Sequence, residues 1–178
     1  MVKRLEGVSR SLLLTGLILV IALIGVYYFY QNKGVSYSVA QIDGKAGMPY
    51  VANIISETAQ NTNFRKVLFT GTRSQLVVMS IPPGGEVGEE THTYTEQTLF
   101  FLSGTGKAVL DGKESPIKAG DVVVVTPGTK HNFINTGTIP LKLYTVYAPP
   151  NHIDGLIEAT KADADANVQD EAYGNQPK

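Results

Sequence analysis

A chain of 178 residues with a formal net charge of -1, 43% hydrophobic and 17% charged residues, has the make-up of one globular domain with a segment to spare. Its 15 Lys and Arg residues neither outnumber the 16 acids nor form a run beyond the N-terminus, so no nucleic-acid partner is expected. The absence of cysteine excludes a disulfide framework, a thiolate metal site and a cysteine nucleophile together.

Residues 1–10 form a basic segment with Lys3, Arg4 and Arg10, and residues 11–30, SLLLTGLILVIALIGVYYFY, carry no charge. At 1.5 Å per residue this run makes about 30 Å of helix, roughly one hydrocarbon core. Tyr27, Tyr28 and Tyr30 lie at its far end, where amphipathic rings favour the membrane interface. The expectation is a single transmembrane helix that anchors the chain, with the cationic flank in the cytoplasm and the remainder on the extracytoplasmic side. A cleaved signal peptide is the competing reading, with Ser38-Val39-Ala40 as a passable late site, although its apolar region would be shorter. Residues 31–47, rich in Gly, Ser, Lys and Asn, read as a linker.

From residue 48 to residue 150 the dominant period is two. Strands are expected at 65–70, 74–81, 97–103, 107–111, 115–118, 121–126, 131–135 and 141–148, separated by turn formers such as Pro82-Pro83-Gly84-Gly85 and Pro127-Gly128. Asp111-Gly112 is a strong two-residue hairpin signal. Many short strands without alternating helices indicate an all-β antiparallel sandwich, jelly roll or small closed barrel. Residues 151–178 are acidic, Ala-rich and short of apolar anchors; a helical turn or two over 158–166 and a mobile last stretch are expected.

Side chains two apart on a strand share a face, which puts Glu90 and His92 on one side of the chain. Gln97 opens the next strand, and His131 starts another immediately after the turn TPGTK, so four polar residues from several strands can converge on one cavity. Metal ligation is one reading of this group; hydrogen-bonded polar residues at a barrel mouth, with Gln97 a buried amide, is the other. Glu90 is also a candidate general base, because a carboxyl in a partly apolar pocket has a raised pKa. A register with Thr91 and Thr93 inward stays open, and it would leave the first strand without a ligand. Glu96 should face away from the cavity, His152 should lie at the surface or in a lid, and Phe101, Phe133, Tyr144 and Tyr147 should be core or pocket wall.

Two spacings organise these residues: Gly84, five residues, Glu90, one, His92, four, Gln97, six, Gly104; and Gly120, five, Thr126-Pro127-Gly128, two, His131, three, Asn135. The chain resembles the cupin superfamily, with motifs G-x5-H-x-H-x(3,4)-E-x6-G and G-x5-P-x-G-x2-H-x3-N, and within it the small bacterial single-domain cupins. It departs where Glu90 replaces the first histidine, Gln97 the glutamate and Thr126 the first proline. The resemblance implies a single jelly-roll β-barrel with a divalent transition metal, Fe, Mn, Ni or Zn, on Glu90, His92, Gln97 and His131. A neutral amide in place of an anion should weaken or retune such a site. The family also implies a small-molecule partner and two kinds of function. One is metal-dependent chemistry, isomerase- or dioxygenase-like, on a sugar or enolisable carbonyl compound; relatives are often described as mannose-6-phosphate isomerase-like, although no arginine cluster for a phosphate lines the motifs here. The other is non-catalytic binding or sensing at the cell surface. A homodimer through edge strands is compatible with both.

Overall fold

The period-two pattern folds as an antiparallel β-structure. The computed structural model of the protein describes residues 49–177; the expected basic segment 1–10, transmembrane helix 11–30 and linker 31–47 lie outside the described residues. Among the described residues, no helix is long and apolar enough to cross a membrane.

The strands are β1 (Arg65–Thr70), β2 (Gln75–Ile81), β3 (Glu90–Thr91), β4 (Glu96–Ser103), β5 (Thr105–Leu110), β6 (Lys113–Lys118), β7 (Val122–Val125), β8 (Lys130–Asn135), β9 (Leu141–Ala148) and β10 (Ile157–Glu158). They form a six-stranded sheet in the order β10-β1-β2-β9-β4-β7 and a four-stranded sheet in the order β3-β8-β5-β6. This is the expected all-β jelly roll. β1 and β9 have the expected limits, and the other predicted strands differ from theirs by one or two residues at either end.

Alternation places the core between the sheets. Gln97, Leu99 and Phe101 of β4, Leu141, Leu143, Thr145 and Tyr147 of β9, and His131, Phe133 and Asn135 of β8 are all buried. Tyr144 departs from its expected place in the core or pocket wall. It has the opposite parity to Leu143 and Tyr147, so it stands on the outer face, stacked on Phe100 at 4.8 Å between centroids. Between β5 and β6, Asp111 (φ 48°) and Gly112 (φ 78°) both adopt the left-handed region, as a type I′ turn requires.

An unpredicted helix, α1 (Ile54–Gln60), precedes the barrel and packs on β2, β4 and β9. Asn53 caps it by accepting a hydrogen bond from the Ser56 N–H at 3.0 Å. After the barrel, β10 pairs with β1, and two short helices follow, α2 (Lys161–Asp165) and α3 (Val168–Gly174). α2 lies within the stretch expected to turn helically and starts with a capping box of Thr160 and Asp163. α3 falls where few apolar anchors were visible; polar contacts through its buried Asp170 fix it instead.

Candidate metal centre and its cavity

The segment before β3 is aligned by β8. Val87 N–H donates to the Phe133 carbonyl at 3.0 Å, and Gly88 N–H donates to the Asn132 side chain at 3.0 Å with φ of 104° at Gly88. The chain then enters β3 with Glu90 directly opposite His131. His92 follows two residues later, and the ligand atoms of Glu90, His92 and His131 all lie within 4.8 Å of one another. Glu90 Oε2 is 3.6 Å from His92 Nε2, and the two imidazole centroids are 5.0 Å apart. Two donors held about 2.1 Å from a shared ion and 90–110° apart stand about 3.0–3.5 Å from each other, so a small inward adjustment closes this group on a cation. Thr91 and Thr93 are exposed, which settles the register in favour of Glu90 and His92 inward.

His131 carries the clearest sign of a ligand. Its ring is buried at 1% exposure, and Nδ1 lies 2.9 Å from the Thr129 carbonyl. A carbonyl only accepts, so Nδ1 bears the proton and Nε2 keeps its lone pair in the neutral ring. That Nε2 is buried without a hydrogen-bond partner. A backbone carbonyl fixing one ring nitrogen while the other is left for an ion is the usual arrangement of a metal-binding imidazole.

Gln97 comes from the other sheet. Its Nε2 donates to the Tyr147 hydroxyl at 2.9 Å, and its Oε1 is buried with no partner. The Tyr147 ring lies 5.7 Å from that of His92, so Gln97 is coupled to the group through Tyr147. Glu96 is exposed, as its parity required.

Glu90 divides its two oxygens. Oε1 accepts from Arg65 Nη2 at 3.3 Å, and Oε2 is the one nearest His92. Its side chain keeps 28% of its surface open. Burial of the carboxyl still raises its pKa above the ordinary range, against the opposing pull of Arg65, His131 and Lys161. Burial likewise pushes the Tyr147 hydroxyl up, so it stays protonated.

Arg65 joins the barrel to the C-terminal segment. Besides Glu90 it pairs with Glu158 Oε2 at 3.0 Å and Asp170 Oδ2 at 3.7 Å. Asp170 in turn meets His152 Nδ1 at 2.7 Å and accepts the Ile153 N–H at 2.8 Å. Burial works against its ionisation, but the His152 contact, the Ile153 N–H and Arg65 outweigh it and hold the carboxyl below its ordinary value. His152 was expected at the surface or in a lid. It is 4% exposed, and its ring stands edge-on to Tyr147 at 4.9 Å, because Asp170 holds it inward. Arg65 and Asp170 were missed. Arg65 gave one signal, a charge at the inward parity of an apolar strand with Val67 on the same face. Glu90, His92, Arg65, His152 and Asp170 line a common cavity of about 360 Å³.

Residues 77–147 match the profile of the cupin domain family. The protein YrkC of Bacillus subtilis is 43% identical over 123 residues, which cover 65% of this chain and 66% of YrkC. An oxalate-binding protein of Thermotoga maritima is 32% identical over 108 residues, which cover 61% of this chain and 82% of that protein. The chain belongs to the cupin family. The crystal structure of BH2720 from Bacillus halodurans superposes on this cupin with a TM-score of 0.68 at 36% identity, covering 70% of this chain and 99% of BH2720. This cupin spans about two thirds of the length of YrkC.

Proposed function

We propose that this cupin holds one divalent transition metal ion on Glu90, His92 and His131, with the Gln97 amide oxygen as a weaker fourth donor, and binds a small polar molecule in the adjoining cavity. The observation that carries this reading is the buried, unpartnered Nε2 of His131 beside a carboxylate and a second imidazole. Two imidazoles and one carboxylate suit Fe, Mn, Ni or Zn. Such an ion would supply Lewis acidity and open coordination positions for a ligand's oxygen atoms. The chain's own residues orient the site: the Thr129 carbonyl fixes the His131 tautomer, and Arg65 holds one oxygen of Glu90 while the other stays beside His92. The neutral Gln97 and the oxalate-binding relative favour binding over turnover.

A catalytic reading is favoured by the position of Glu90 at the cavity wall, where burial makes its carboxylate a stronger base than an exposed one. On that reading the protein is a metal-dependent isomerase or dioxygenase acting on a sugar or enolisable carbonyl compound. In both readings residues 11–30 anchor the chain and the barrel works on the extracytoplasmic side, supported by a charge-free run behind Lys3, Arg4 and Arg10. A homodimer through the β7 edge is supported by the exposed Val122 and Val124. Membrane fractionation tests the first of these, and light scattering of the purified protein tests the second.

The deciding experiment is elemental analysis of the full chain purified without chelator, beside His92→Ala and His131→Ala. Close to one transition ion per chain, lost in both variants, is expected. A wild-type chain that stays empty after exposure to Fe, Mn, Ni and Zn refutes the metal centre.

A further inference from the structure

The cavity in front of the candidate centre has a marked charge imbalance. Glu89, Glu90, Asp165, Asp170 and Glu171 line it, and Arg65 is the one lysine or arginine among its lining residues. Lysines compensate two of these acids, Lys130 at 2.7 Å from Glu89 and Lys161 at 2.7 Å from Asp165. Glu90, Asp170 and Glu171 then remain, with Glu158 behind them. Arg65 is already committed to Glu90, Glu158 and Asp170, and it is buried at 5% exposure. His152 lies against Asp170 at 2.7 Å, so an anionic ligand would meet Glu90 and Glu171 without a lysine or arginine side chain free to receive it.

A second observation concerns hydrogen bonding. Asn151 lines the same cavity, is 4% exposed, and its Oδ1 is buried with no donor. A buried acceptor left without a donor keeps its desolvation penalty, which a ligand carrying an O–H or N–H would relieve.

From these two observations we infer that the cavity takes small, donor-rich molecules that are uncharged or cationic, of the polyol or amino-alcohol class, and turns anions away. This rests on the proposed small-molecule function but not on the metal. It sets the chain apart from a protein built to receive a dicarboxylate.

The chain has no cysteine, so a single engineered thiol reports the field inside the cavity. Asn175→Cys and, separately, Ala164→Cys place it at the lining. Each variant is treated with a trimethylammonium-bearing and a sulfonate-bearing methanethiosulfonate reagent, before and after zinc loading, with metal content measured in parallel. The ratio of the two rates cancels any change in the thiol's own reactivity. The expected ratio favours the cationic reagent by about tenfold or more over that of a free thiol in the same buffer. Adding Glu171→Lys at the exposed edge of the cavity should cut the preference by about three- to fivefold. A ratio equal to or below the free thiol's overturns the proposal, as does a preference that Glu171→Lys leaves untouched. A chain that stays empty after exposure to Fe, Mn, Ni and Zn yet keeps the cationic preference sinks the metal centre and leaves this inference standing.

The ligand side is read by saturation-transfer NMR with glucosamine, glucose and glucuronate at equal concentration. Signal from either of the first two, without signal from glucuronate, supports the assignment. Glucuronate as the strongest binder refutes it. Silence from all three also counts against the polyol class.

Discussion

Glu90 and His131 stand face to face across the β3–β8 ladder, and β3 is only two residues long. The site therefore depends on the run from Gly84 to Gly88, which lies along β8 through Val87 and the Asn132 side chain and carries Glu90 into register. Any change that slips this run by one residue exchanges Glu90 and His92 for Thr91 on the inner side.

Gln97→Glu should strengthen metal binding. The orphaned Oε1 becomes part of an anion, and Tyr147, whose hydroxyl now accepts from Gln97, can turn to donate to it. Affinity for zinc, measured by competition with a chromophoric chelator, is expected to rise at least about tenfold, and Gln97→Leu to fall below wild type. Equal affinities in all three proteins would remove residue 97 from the site.

Arg65→Ala leaves Glu90, Glu158 and Asp170 facing one another in a largely buried space. Breaking such a cluster from one side costs about 3–5 kcal/mol. Urea denaturation is the measurement, with Arg65→Lys expected to recover part of the loss. A cost no larger than that of an exposed ion pair would mean that solvent reaches the cluster.

Acid stability should depend on Asp170. Its folded-state carboxyl titrates below the ordinary 3.8. The unfolded chain therefore takes up the proton first as pH falls, and the stabilisation is complete above that value and lost as pH drops through the folded one. Urea midpoints followed from about pH 6 down to about pH 3 should fall more steeply at the acid end for wild type than for Asp170→Asn. Parallel curves would show that this carboxyl is not held down by His152, Ile153 and Arg65.

Two glycines should differ in what they tolerate. Gly112→Ala puts a side chain at φ of 78° with open space around it and should cost about 1–2 kcal/mol. Gly106→Ala would drive a Cβ into the Ile134 carbonyl across the β5–β8 ladder and should cost more. The order of the two melting temperatures checks this, and a reversed order would mean that β5 moves away from β8 at little expense.

The long strands were legible because alternation and turn residues are local properties. RKVLFT and LKLYTVYA announce their limits, and Asp111-Gly112 announces its turn. The pairing of Glu90 with His92 and the arrival of His131 were legible from spacing. β3 was not, because two residues carry no period. α1 was not, because seven residues of mixed polarity held by an asparagine cap look like a loop. His152 was misjudged because the residue that draws it inward, Asp170, lies eighteen positions away in a segment whose composition promises little. Long-range polar pairing leaves no local trace, whereas alternation does.

The C-terminal segment has a further consequence. It supplies His152, Asp170 and Glu171 to one wall of the cavity, while the candidate metal residues belong to strands and turns of the barrel. The candidate coordinating group and one wall of the cavity beside it are thus encoded in separate stretches of the gene. Substitutions after Pro150 can re-tailor what is admitted without disturbing a ladder of the two main sheets beyond the short β1–β10 pairing. Descendants of one barrel can in this way diversify their diet while inheriting the same hearth.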